Sequence, residues 1–117
     1  MHKKLTVWQL AIELVTDIYT LTQQFPSDER FGLTNQIQRA SVSIPSNIAE
    51  GAARQSNKEF IQFLYIALGS CAEVETQLII ANNLQYGNIK HATEKNEQIK
   101  RMLQGLIKNR KSSNVNI

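Results

Sequence analysis

TNQIQRASVSIPSNIAEGAA, residues 34–53, holds Ile37, Ala40, Ile44, Ile48 and Ala52 at steps of three and four, the spacing of one helix face, straight through Pro45. A proline in a helix interior lacks the amide that would bond back to residue i−4 and costs about 3 kcal/mol. Two helices could abut at this point, or one helix could bend. A stripe that stays in phase on both sides of the proline favours one bent helix, from about Thr34 to Ala53.

Upstream, Pro26-Ser27-Asp28-Glu29 is a turn with helix-start chemistry, and before it lies a helical stretch from about Leu5 to Gln24. This stretch carries two apolar stripes. Leu5, Trp8, Ile12, Val15 and Tyr19 form one, read here as the core face; Val7, Ala11, Leu14, Ile18, Leu21 and Phe25 form the other. Downstream, Ser56-Asn57-Lys58-Glu59 fits a capping box and starts a third helix. One stripe is Phe60, Phe63, Ala67, Cys71, Val74, Leu78 and Ala81, and a second beside it runs through Ile61, Tyr65, Leu68, Ala72 and Ile79. Gly87 suits a left-handed position after that helix and Asn88 the next N-cap. The last helix, roughly Ile89 to Lys108, has a single stripe and a broad polar face.

Four long helices joined by short connections must alternate in direction, so the reading is all-α: an up-and-down antiparallel four-helix bundle over residues 1–111, with residues 112–117 as a disordered polar tail. A chain of 117 residues with 42% hydrophobic and 20% charged residues can bury one core without metals or disulfides. The surplus apolar faces of the first and third helices need a partner, and a second copy of the chain is the commonest one. The bland alternative is that these helices are simply more central. Leu14, Ile18 and Tyr65 are the candidate subunit contacts.

No signal peptide is legible at the N-terminus, since Gln9, Glu13 and Asp17 interrupt the apolar residues, and no uninterrupted apolar run approaches the roughly 20 residues of a membrane span. A cytoplasmic protein without a membrane partner is expected.

Catalytic chemistry is hard to place. Cys71 has no partner thiol, and Ser41, Ser43 and Ser46 have no evident histidine beside them for nucleophilic attack. A carboxylate-bridged metal site in a bundle needs Glu-x-x-His pairs, whereas His91-Ala92-Thr93-Glu94 is a single, reversed instance, and His2 lies in a terminus. His91 as a phosphotransfer residue is weaker than His91 as a surface side chain. Glu73 and Glu75 stand on different sides of one helix and make a poor acid/base pair. No enzyme, cofactor or metal is expected.

Charge is more telling. Lys90 to Lys111 holds seven basic residues against Glu94 and Glu97, a local charge of +5 in a chain of net +3, so the remainder carries −2. Such a cluster is an electrostatic footprint for nucleic acid, carried by Lys100, Arg101, Lys108, Arg110 and Lys111. The competing reading is a helix with favourable cations near its negative end. No aromatic platform beside these cations is evident in the last helix.

The segment Ser43-Ile44-Pro45-Ser46-Asn47-Ile48-Ala49-Glu50-Gly51, then Lys58-Glu59-Phe60, then Gly69-Ser70-Cys71-Ala72-Glu73-Val74-Glu75-Thr76-Gln77-Leu78, resembles the bacterial four helix bundle proteins, also called 23S ribosomal RNA intervening-sequence proteins. The resemblance runs from about Trp8 to Tyr86, and the last helix matches only in general character. It implies the proline inside the second helix and a ring-shaped homopentamer. It also implies structural roles for Ser43, Pro45, Asn47, Glu50, Gly51, Glu75 and Gln77, with Gly51 and Gly69 allowing close helix approach. Some relatives are encoded within insertions in large-subunit ribosomal RNA genes. Related accessory variability determinant proteins of diversity-generating retroelements bind a reverse transcriptase and nucleic acid. The expected function is therefore a non-enzymatic homo-oligomeric scaffold that binds RNA, DNA or a nucleic-acid-associated protein such as a reverse transcriptase. The alternative is a purely protein-binding adaptor.

Overall fold

Each long stretch of helical period forms one helix in the computed structural model, which describes residues 2–115. Helix α1 spans Thr6–Thr22, α2 Leu33–Ala52, α3 Asn57–Asn83 and α4 Lys90–Val115, and among the described residues there is no strand. Helix α1 packs on α2 and α4, and α3 packs on α2 and α4, so the helices meet as neighbours around a square. The bundle measures 52 × 20 × 20 Å.

Local chemistry sets the ends. Ser56 Oγ accepts the Glu59 amide at 3.1 Å and opens α3. At the other end of α3 the Tyr86 amide donates to the Ala81 carbonyl at 2.9 Å and the Gln85 amide to the Asn82 carbonyl at 3.0 Å, the paired bonds of a Schellman stop. The left-handed residue in this stop is Gln85, with φ of 60°, and not Gly87 as expected. Gly87 instead sits in a tight corner: a Cβ there would lie 3.0 Å from Leu21 Cδ1 and 3.1 Å from Gln24 Oε1, so those two side-chain ends would have to shift slightly. Asn88 Oδ1 accepts the Lys90 amide at 3.1 Å and starts α4.

Helix α2 contains Pro45, whose ring is buried on the side facing α1. Two residues either side, on the face toward α3, a small polar knot forms. Asn47 Nδ2 donates to the Ser43 carbonyl at 2.8 Å and to Ser43 Oγ at 2.9 Å, and Ser43 Oγ lies 2.9 Å from Ser70 Oγ. Gly51, one turn later, lets α3 come close, because a Cβ would sit 2.7 Å from Phe63 Cβ. Gly69 has nothing within 4 Å of a built Cβ, so the close approach expected there does not occur.

Three further expectations are corrected. The stripe Val7, Ala11, Leu14, Ile18, Leu21 and Phe25 is the core face of α1, and Leu5, Trp8, Ile12, Val15 and Tyr19 lie at or near the surface. The two stripes are equally apolar in sequence, but Ala11 admits a close neighbour while Trp8 and Tyr19 have polar tips that favour water. Leu14 and Ile18, at 0% exposure, belong to the core and are withdrawn as subunit contacts. Beyond Lys111 the chain continues α4 to Val115, where a tail was expected; Ser113 Oγ donates back to the Asn109 carbonyl at 3.2 Å, and residues 116–117 lie outside the described residues. Finally, α3 is long and apolar enough by composition to cross a membrane, with 33% of its most apolar window buried. It nonetheless supplies eight buried residues to the bundle and carries Glu73 and Glu75 on its outer half, as a core helix of a bundle can.

Candidate nucleic-acid interface

Helix α4 buries Ala92, Asn96, Ile99, Leu103 and Ile107, and this stripe fixes where every cation of the helix points. On the flank toward α1, Lys95 Nζ meets Asp17 at 2.7 Å and Glu13 at 3.4 Å, and His91 Nε2 lies 3.2 Å from Asp17. Burial pulls the Lys95 ammonium down, but its bonds to the two carboxylates outweigh that and hold it above its ordinary value. Lys95 is a clasp between α1 and α4.

On the flank toward α3 the expected cations divide. Lys100 is 27% exposed and sits 3.5 Å from Glu75 and 3.6 Å from Glu97. Arg110 stacks on Phe60 with its guanidinium 5.1 Å from the ring centre, its carbonyl accepts from Asn57 Nδ2 at 2.7 Å, and its buried Nε has no partner among the described residues. Both tie α4 to α3. Arg101 and Lys108 are exposed and have no carboxylate partner among the described residues. Lys111 reaches across to α3, its Nζ donating to the Tyr65 hydroxyl at 2.6 Å and lying 5.1 Å from the ring centre.

Arg101, Gln104, Lys108 and Lys111 follow one another at steps of three, four and three, one continuous stripe on the outer face. Two of the expected five cations, Arg101 and Lys108, are thus free, Lys111 bonds a tyrosine hydroxyl, and Lys100 and Arg110 are engaged structurally. Tyr65 was invisible to a reading confined to the last helix. It stands on α3, 46% exposed, and only the packing of α3 against α4 brings it to Lys111.

The motif residues are structural in their contacts. Ser43 and Asn47 build the knot to Ser70, Gly51 seats Phe60 and Phe63, and Glu50 pairs with Arg54 at 3.0 Å on the surface of α2. Glu75 holds Lys100, and Gln77 lines a polar groove between α2 and α3. Cys71 is fully buried, and burial pushes its thiol up to about 12, so it stays protonated and unreactive at neutral pH. Among the described residues no group of His, Cys, Asp or Glu is arranged to hold a metal.

A family model described as 23S rRNA-intervening sequence protein matches residues 3–107. Among solved structures, the chain is similar to a protein of unknown function from the S23 ribosomal protein family of Bacteroides thetaiotaomicron, known at 1.70 Å. The two share 27% identity and a TM-score of 0.81, over 88% of this chain and 99% of that one. No curated protein matches. Neither description names a reaction.

Proposed function

We propose that this chain, which belongs to the 23S rRNA-intervening sequence protein family, is a non-enzymatic homo-oligomeric scaffold that binds nucleic acid through the outer face of α4. The observation that carries the reading is the stripe of Arg101, Lys108 and Lys111, whose charges are not neutralised by carboxylates among the described residues, while Lys95 and Lys100 beside it are paired. A stripe on a rigid helix is suited to phosphates spaced along a strand, and it reads charge rather than sequence.

Assembly multiplies the effect. Exposed apolar side chains lie on two sides of the bundle, Ile12, Tyr19 and Val42 along α1 and α2, and Ile66, Ile80 and Leu84 on one face of α3. Two different patches on one molecule suit a cyclic assembly, for which we take the pentamer that the family resemblance implies. Each subunit then presents the same stripe, and weak sites act together.

Titration of labelled RNA and DNA oligonucleotides tests this. Binding at low salt is expected, with affinity falling roughly a hundredfold or more between about 50 and 200 mM salt if some five phosphates are contacted. Replacing Arg101 and Lys108 with Gln should weaken it strongly, and Lys100→Gln far less, because Lys100 is already paired with Glu75 and Glu97. No binding by the wild type, or equal binding by the doubly neutralised protein with assembly intact, favours the protein-binding adaptor.

A further inference from the structure

Beside the cationic stripe, at the end of the bundle where α4 finishes, α3 and α4 part to leave a groove of about 650 Å³. Leu68 and Ile107 form its floor, Tyr65 one wall, and Gln104, Lys108 and Lys111 the other. No acidic side chain lines it among the described residues. The volume falls in the range of sites that take small organic ligands, roughly 300–1,000 Å³, and a nucleobase with its sugar fits within it.

Resting on the reading of α4 as a nucleic-acid surface, we propose that this groove receives an unpaired nucleobase, so that the protein prefers single-stranded nucleic acid to duplex. The chemistry on each wall matches what a base requires. An apolar floor and a half-exposed tyrosine ring offer a flat base two faces to lie against. Gln104, which also lines the groove, carries an amide that both donates and accepts, as a base edge requires. Lys108 and Lys111 stand at the rim, and Arg101 continues the same stripe, so the strand carrying the base runs along cations. In the free protein the Lys111 ammonium bonds the Tyr65 hydroxyl at 2.6 Å and lies 5.1 Å from the ring centre, beyond the hydroxyl edge rather than over the ring face. A base entering the groove lies against the ring face, and the flexible lysine turns to the adjoining phosphate.

Charge complementarity selects this occupant. A neutral apolar helix would leave both rim lysines unanswered, and a duplex keeps its bases stacked inside, so it can use the rim but not the floor.

The experiment uses the full chain and three fluorescent probes of equal length: a single strand, a blunt duplex and an abasic strand with the same phosphates. The wild type should bind the single strand about tenfold or more tighter than the abasic strand and the duplex, the scale of one stacked base. Tyr65→Leu should bring single-strand affinity down to the abasic level and leave duplex affinity unchanged, and Tyr65→Phe should retain the preference. Equal binding of all three probes by the wild type overturns the groove proposal while the cationic surface stands, and no binding of any probe removes the surface as well. A fall in oligomer mass on Tyr65→Leu also overturns it, because the groove then belongs to a subunit contact. The abasic comparison needs no variant, so it decides even where Tyr65→Leu folds poorly.

Discussion

The contact that most clearly departs from sequence expectation at the level of single residues is Glu29 with Tyr86, which are 57 positions apart. Tyr86 donates its hydroxyl to one carboxylate oxygen at 2.7 Å while the other accepts the Leu33 amide at 3.1 Å, so one side chain starts α2 and ties that start to the turn after α3. The hydroxyl and the amide hold the Glu29 carboxyl below its ordinary 4.5, and the carboxylate holds the Tyr86 phenol above its ordinary 10.0. The signs follow from linkage. A lowered carboxyl stabilises the fold above its ordinary value and loses that stabilisation as pH falls through its folded value; a raised phenol stabilises below 10.0 and loses it as pH rises through its folded value. The melting temperature of Tyr86→Phe should therefore trail the wild type by a constant margin at neutral pH, and the margin should shrink below about 4.5 and above about 10. The phenylalanine keeps the ring that lies 5.4 Å from Phe25, so packing is conserved, and a margin independent of pH would show that the bond to Glu29 is not what stabilises this corner. Neither residue carries a local signal of this bond, because Glu29 reads as an ordinary turn acid and Tyr86 as a helix-end aromatic.

At the level of elements, helical period was sufficient for the number of helices and most of their boundaries, since α1, α2 and α3 begin and end within about two residues of the expected positions. Period does not say which of two apolar stripes faces inward. That is decided by what the other three helices present, and it explains why Leu14 and Ile18 of α1 were misplaced while the single-striped α4 was read correctly. The candidate site was legible in the same proportion. Charge located the helix, but pairing with Glu75 and the approach of Tyr65 come from α3 and have no trace in the sequence of α4. Glycines repeat the lesson: Gly51 and Gly69 look alike in sequence and differ completely in surroundings. Gly51→Ala should destabilise the protein by about 1–3 kcal/mol, because the new methyl overlaps Phe63 Cβ, which cannot move without its backbone. Gly69→Ala should stabilise the isolated bundle by about 1 kcal/mol through helix propensity alone. Urea denaturation of both measures the contrast, and equal effects would mean that α2 and α3 are not packed closely at Gly51.

For the molecule as a whole, two apolar surfaces on different sides of the square constrain the kind of assembly that can cover them. An isologous dimer joins one patch to its own copy and would leave the other patch wet, whereas a head-to-tail contact between the α1/α2 patch and the α3 patch covers both, and gives a ring where its rotation closes. A charged residue at either patch should break that contact without touching the core. Ile12→Asp and Ile80→Asp, both at exposed positions, should each reduce the assembly to folded monomers near 13.3 kDa by light scattering, with helical circular dichroism unchanged. Leu14→Asp should instead unfold the chain, since it places an unpaired charge at a fully buried site. The mixture of the two surface variants is the sharper measurement. Ile12→Asp keeps an intact α3 patch and Ile80→Asp keeps an intact α1/α2 patch, so one molecule of each can form a single good contact and then no more. A head-to-tail assembly thus predicts that two monomeric variants mixed together give a species of twice the mass, and that it stops there. If the mixture stays monomeric, the two patches do not meet each other; if the wild type is itself monomeric at micromolar concentration, neither patch is a subunit contact, and repetition of the α4 stripe cannot strengthen nucleic-acid binding.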